Sequence, residues 1–251
     1  MNLWRLEYLR LRRTWRGPGL TVIFLFFGVL GPITARYIEQ ILTSFGTQDV
    51  QITFPPPVPA DGMIQYLGNA QQVGLLAVIA VAAGALSIDG TADIAIFLRT
   101  RVSSTARLVL TRYAVYAIVA ALAWTAGALV AWYETWALIG GLPADRVLLG
   151  AALGGIYFAY VVAIVALASG ITRGSVGTMF LAFAIVLVPQ ITLGLVGGLG
   201  DWLPGHLSGA IAALNDGSAD PVDYVRSVLV TVVVIVAALA AAVRLLDRRE
   251  V

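Results

Sequence analysis

The chain contains no lysine, no cysteine and one histidine, His206, in 251 residues. A standard P-loop holds nucleotide phosphates with a lysine, so this polypeptide carries none. Without cysteine it has no thiolate ligands, thiol nucleophiles or disulfides, and a lone histidine excludes two-histidine metal motifs. Charge is scarce as well. Charged residues make up 12% of the chain, about half the usual share of a soluble domain. The net charge of +2 says little, because the charges are distributed unevenly.

Hydrophobic residues account for 59% of the chain. They gather in six runs, at 20–41, 70–88, 108–138, 147–169, 176–199 and 224–246. Runs of about twenty apolar residues cross a ~30 Å hydrocarbon core as helices. The expected fold is therefore all-α: a polytopic membrane protein of six transmembrane helices in one domain, 1–251. The apolar stretch after the N-terminus is too long for a cleavable signal sequence. With both termini inside, thirteen arginines fall on inner segments and only Arg36, Arg146 and Arg226 fall outside. Basic loops stay in the cytoplasm, so this bias predicts cytoplasmic N- and C-termini. Trp132, Tyr133, Trp136 and Trp202 then form an outer aromatic belt.

Two outer segments stand out. Pro55, Pro56, Pro57 and Pro59 predict an extended polyproline stretch without helix. Segment 201–223 has an apolar centre too short to span and predicts a re-entrant or surface piece.

Residues 1–17 predict an amphipathic interfacial helix. Trp4, Tyr8, Leu11 and Trp15 recur at spacings of four, three and four, which puts them on one face, with Arg5, Arg12 and Arg16 in a neighbouring stripe. Such a helix lies in the membrane interface, rings in the acyl boundary and guanidiniums at anionic headgroups. Gly17, Pro18 and Gly19 are expected to break it.

The inner loop 89–105 has the most distinctive pattern. Asp89 and Gly90 end a span, Thr91 N-caps a short helix, and Asp93 sits in its first turn. Ile94, Phe97 and Leu98 share one face, and Arg99 and Arg101 close the helix. A short helix that is apolar on one side and charged at both ends suits docking into a groove on a soluble partner.

This pattern resembles the permease subunits of ABC-2 type transporters. There the second span is followed by an acidic residue, Gly-Thr-Leu-Glu, an apolar helix and Pro-Val-Ser with basic residues. Gly90, Thr91, Val102 and Ser103 match; Ala92 replaces leucine, Asp93 glutamate, and Arg101 proline. The resemblance implies a permease of the bacterial cytoplasmic membrane, paired with a second permease, identical or homologous. It also implies two separate ATP-binding cassette subunits that carry ATP and Mg, with no cofactor, metal or catalytic residue on this chain and no nucleic-acid partner. The loop residues from Asp89 to Arg101 would receive the motion of those subunits.

Within the spans, Phe24, Phe27, Phe180 and Phe183 are candidates to line an apolar translocation path, and Gln71, Gln72 and Gln190 a polar patch on it. Pro32 and Pro189 predict kinks. Arg36 and Glu39, three apart, predict a local ion pair, and His206 a solvent-facing position. The expected cargo is an amphipathic or hydrophobic compound such as a drug, peptide or lipid-like molecule, moved outward. An ion- or proton-coupled secondary transporter and a non-transporting membrane anchor are the alternatives, although the former usually places acids near the bilayer midplane.

Overall fold

The computed structural model describes residues 3–45, 55–87, 104–195 and 198–248. Every regular element among them is helical. In order they are α1 (Leu3–Arg13), α2 (Arg16–Phe45), α3 (Pro59–Asn69), a π-helical turn (Ala70–Gly74), α4 (Leu75–Leu86), α5 (Thr105–Leu138), α6 (Ala144–Ile171) and α7 (Ser175–Gly194). Then come 3-10 turns at Gly200–Trp202 and Pro204–Gly209, α8 (Ala210–Asp216), a 3-10 turn at Pro221–Tyr224 and α9 (Val225–Asp247). Six helical segments are long and apolar enough to cross a membrane. Helices satisfy every backbone polar group internally, which is what a hydrocarbon medium demands.

The spans are not equivalent. In α6, 78% of the most apolar window is buried within the protein, against 17% in α7 and 22% in the last span. α6 is therefore the central post, and α7 and α9 present most of their surface outward. Its glycines permit this density. A side chain at Gly154 would collide with the Trp124 indole, and a Cβ at Gly150 would lie 2.5 Å from Ile211 Cα. α2 and α5 approach through Gly28 and Gly127, whose added Cβ atoms would each meet the other helix's backbone oxygen at 2.5 Å. Small residues at such crossings let membrane helices pack closely.

Several boundaries differ from those expected. The second span begins at Pro59, well before residue 70, and runs through the π turn. Residues 55–58 are non-helical, but Pro59 opens a helix. Proline is tolerated at the first helical position, and the Asp61 carboxylate accepts the Val58 N–H at 2.8 Å. The fifth span stops at Gly194, short of residue 199. Gly17, Pro18 and Gly19 form the first turn of α2 and break nothing; the elbow lies at Thr14–Trp15, where Trp15 takes a left-handed φ of 56°. α2 passes through Pro32 and departs from helical geometry at Tyr37 (φ −111°, ψ 17°), and α7 passes through Pro189. The Tyr37 departure separates Arg36 from Glu39; both are exposed and no ion pair joins them.

Segment 201–223 neither spans nor floats. Leu207, Ile211 and Leu214 are fully buried, and α8 packs on α6. Arg146 donates to the Leu214 carbonyl at 3.1 Å, and Gly217 ends α8 with a φ of 80°, a conformation glycine adopts without penalty.

Candidate functional site

Two polar arrangements interrupt the apolar interior, one at the end of the bundle that carries α1 (the near end) and one at the opposite, far end.

At the near end, α1 lies on the bundle through Leu3, Glu7 and Leu11. Their spacing of four puts them on one helical stripe. Glu7 is 1% exposed and Arg112 2%. Arg112 Nε donates to Glu7 Oε1 at 2.8 Å, and its Nη1 donates to the Ala85 carbonyl at 3.2 Å. Arg10 Nη1 is 3.9 Å from Glu7 Oε2. A buried charge is costly unless paired, so each member of this pair makes the other's burial possible. One arginine thus joins three pieces: α1, the end of α4 and the start of α5. Residues 88–103, outside the described residues, connect α4 to α5 in the sequence. A second tie lies at the end of α4. The buried Thr178 hydroxyl of α7 is 3.0 Å from Ser87 Oγ and 2.7 Å from Thr172 Oγ1, which holds the residue that follows α4.

The predicted interfacial residues are divided differently from the expected face. Leu11 belongs to the bundle-facing stripe. Trp4, Tyr8 and Trp15 are 51%, 58% and 76% exposed. Arg5 and Arg12 are exposed and Arg16 is half-buried. The stripe on the bundle is centred on a carboxylate, and the aromatic rings flank it. Asp89, Gly90, Thr91, Asp93, Ile94, Phe97, Leu98, Arg99 and Arg101 lie outside the described residues.

At the far end, Gln71 stands in the π turn of the second span. Its Nε2 donates to Ser208 Oγ at 2.7 Å, and Ser208 Oγ donates to the Gly205 carbonyl at 2.6 Å. Gln190, the residue after Pro189, packs on Gly205, where an added Cβ would sit 2.5 Å from its amide carbon. Two of the three predicted glutamines therefore converge on one short piece, Pro204–Gly209. π turns recur at functional sites because they re-aim side chains, and here the extra residue brings Gln71 toward Ser208. Gln72 is exposed. Ser208→Ala leaves the Gln71 amide without its acceptor and is expected to destabilise the protein by about 1–2 kcal/mol. Gln71→Leu with Ser208→Ala should recover most of that loss in equilibrium unfolding.

The predicted phenylalanines do not form one surface. Phe24 is fully buried in an aromatic cluster with Trp124 (6.1 Å between ring centres) and Phe158 (5.3 Å). In this chain it is a packing residue with no exposed surface. Phe27 and Phe183 are half-buried, and Phe180 is 66% exposed on α7.

His206 is not simply solvent-facing. Its ring stacks on Tyr224 at 4.6 Å and an interplanar angle of 20°, and its Nδ1 is buried without a partner. It borders a groove of about 380 Å³ together with Asp201, Asp223 and Arg226. Among the described residues no group of three or more histidines and carboxylates could hold a metal ion.

Sequence reasoning missed Glu7 and Arg112 as a pair. One signal was present: Glu7 is the only acid before Glu39 and lies among five arginines, in register with Leu3 and Leu11. No known protein-family model matches the chain, and no curated protein matches it.

Proposed function

We propose that this chain is the membrane-spanning subunit of an ABC-type exporter, moving an amphipathic or hydrophobic compound outward with ATP hydrolysed on a separate polypeptide. The observation that supports this reading is the way the end of α4 is tied to its neighbours, by Arg112 to Ala85 and by Thr178 to Ser87. A push delivered at these ties would pass into α4, α5 and α7 together, the kind of shared rigid-body displacement by which a partner's motion is carried into packed helices. The missing lysine fits this division of labour, because energy must come from a partner with a nucleotide site.

The arginine bias supports a cytoplasmic position for the N-terminus and for residues 88–103, the side on which ATP-binding subunits would dock. Two such subunits and a second permease complete the assembly. At the far end, the piece Pro204–Gly209, held by Gln71 and Gln190, sits where a substrate would leave. The exposed apolar faces of α7 and α9 are available to lipid or to the second permease.

Purification from native membrane should bring down an ATP-binding subunit. Asp93→Ala or Phe97→Ala should then lower transport-coupled ATP hydrolysis by about tenfold, a typical size for a coupling free energy, while membrane insertion is unchanged. Unaltered coupling in both variants, or solute uptake by the isolated chain driven by a proton gradient, would refute the proposal.

A further inference from the structure

Among the described residues, the polar cluster at the near end is out of electrical balance. Among them, Arg10 and Arg112 face a single carboxylate, Glu7, and Arg16 lies close enough to Arg10 for their charges to interact. Arg112 is satisfied by Glu7 and Ala85. Arg10 is 3.9 Å from the nearest carboxylate oxygen, beyond hydrogen-bonding reach, and its side chain is 31% exposed. Arg16 lies over Gly84, where an added Cβ would be 3.3 Å from its Nη2. Its Nη1 is buried with no hydrogen-bond partner, as are Glu7 Oε2 and the hydroxyl of Tyr116, itself 2% exposed. Burial, and then the Arg112 charge, push the Arg10 pKa below its ordinary value, and the opposing influence of Glu7 is smaller.

Arginine stays protonated regardless, so the described residues of this cluster carry two more positive charges than negative ones. Buried donors left unpaired are expensive, and uncompensated charge in a low-dielectric setting more so. An anion with at least two oxygens, reached from the side where Arg10 is open, would meet both this charge and the unpaired Arg16 donor. The location narrows its identity. Arg16 begins a membrane-crossing helix, Trp15 beside it is 76% exposed, and Trp4 and Tyr8 are exposed on the adjoining face of α1. Such aromatic residues lie at headgroup depth.

We infer that Arg10 and Arg16, backed by Arg112 and the Tyr116 hydroxyl, form a binding site for the phosphate of one anionic phospholipid in the leaflet at the near end. The guanidinium forks suit a phosphodiester, which accepts paired charge-assisted hydrogen bonds. Glu7 Oε1 is occupied by Arg112, and Glu7 Oε2 faces Arg10. Lipid capture here is independent of transport.

The test uses the full chain in nanodiscs of phosphatidylcholine doped with phosphatidylglycerol, and native mass spectrometry counts the lipid retained. One phosphatidylglycerol should be held in preference to phosphatidylcholine. Arg10→Gln and Arg16→Gln should each weaken retention about tenfold, the effect of one charge-assisted hydrogen bond. Arg13→Gln, on the exposed side of α1, should leave it unchanged. If Arg16→Gln fails to insert, Arg10→Gln alone decides, because its side chain is partly exposed. Equal retention of both lipids, or equal losses for the Arg10 and Arg13 variants, overturns the assignment. So does displacement of the lipid by millimolar inorganic phosphate, which would make free phosphate the ligand.

Discussion

Glu7→Gln is expected to destabilise the protein by about 3–5 kcal/mol, the usual consequence of leaving a buried charge without its partner. Arg112 cannot escape the consequence by losing its proton, and it cannot move to water without giving up the Ala85 carbonyl. Arg112→Met should be similarly damaging, because Glu7 is then stranded at 1% exposure. The double variant Glu7→Met with Arg112→Met should behave differently. Replacing a buried ion pair by apolar side chains of similar size is often neutral or stabilising, so the double variant should unfold within about 1–2 kcal/mol of the parent. Equilibrium unfolding of the parent, Glu7→Met, Arg112→Met and the double variant in mixed micelles forms a complete cycle, with Glu7→Gln as a fifth protein. Two single variants that are each mild would mean that the pair is solvated and that α1 is only loosely docked.

Trp124→Ala should weaken the protein by about 3–5 kcal/mol, the range for removing a large buried aromatic side chain. The indole is the centre of the interior. It lies 5.1 Å from Tyr66, 5.4 Å from Phe158 and 6.1 Å from Phe24 between ring centres. Its Nε1 donates to the Ala151 carbonyl at 3.0 Å, and its own carbonyl accepts the Tyr66 hydroxyl at 2.8 Å. Four elements meet there: α2, α3, α5 and α6. Gly154 and Gly127 leave room for rings on all sides, so no neighbour can collapse far enough to fill the void. Trp124→Phe keeps a ring but loses the Ala151 bond, and should cost about 1–2 kcal/mol for that bond and the smaller ring. Trp202, 45% exposed at the far end, is the control: Trp202→Ala should stay within about 0.5 kcal/mol. The same unfolding series reads all three, and a loss in Trp124→Ala no larger than in Trp202→Ala would show that the cluster is not the core.

How much of this was legible beforehand depends on the residue. The number of spans could be read because twenty apolar residues in a row have few alternatives in water or in lipid. The start of the second span could not. Pro59 looks like a breaker next to three other prolines, and only the Asp61 carboxylate on the Val58 N–H makes it a helix start. Phe24, Phe26 and Phe27 looked interchangeable. One is at the centre of the protein, one is 58% exposed, and one lies between. Gln71 and Gln190 were recognisable as polar residues in apolar runs, but nothing in the one-dimensional order of the chain says that both meet Pro204–Gly209. Glu7 and Arg112 are 105 positions apart.

Composition and order thus determined the helical class, six crossings' worth of apolar chain and the lack of a P-loop, because these follow from length, hydropathy and residue type alone. The facing of each helix was decided only by tertiary packing. In a soluble protein the polar side of a helix reveals its inner side. Here lipid is as apolar as the interior, so the periodicity that would distinguish them is absent. What separates inside from outside is which glycine admits a neighbour and which buried charge finds its partner.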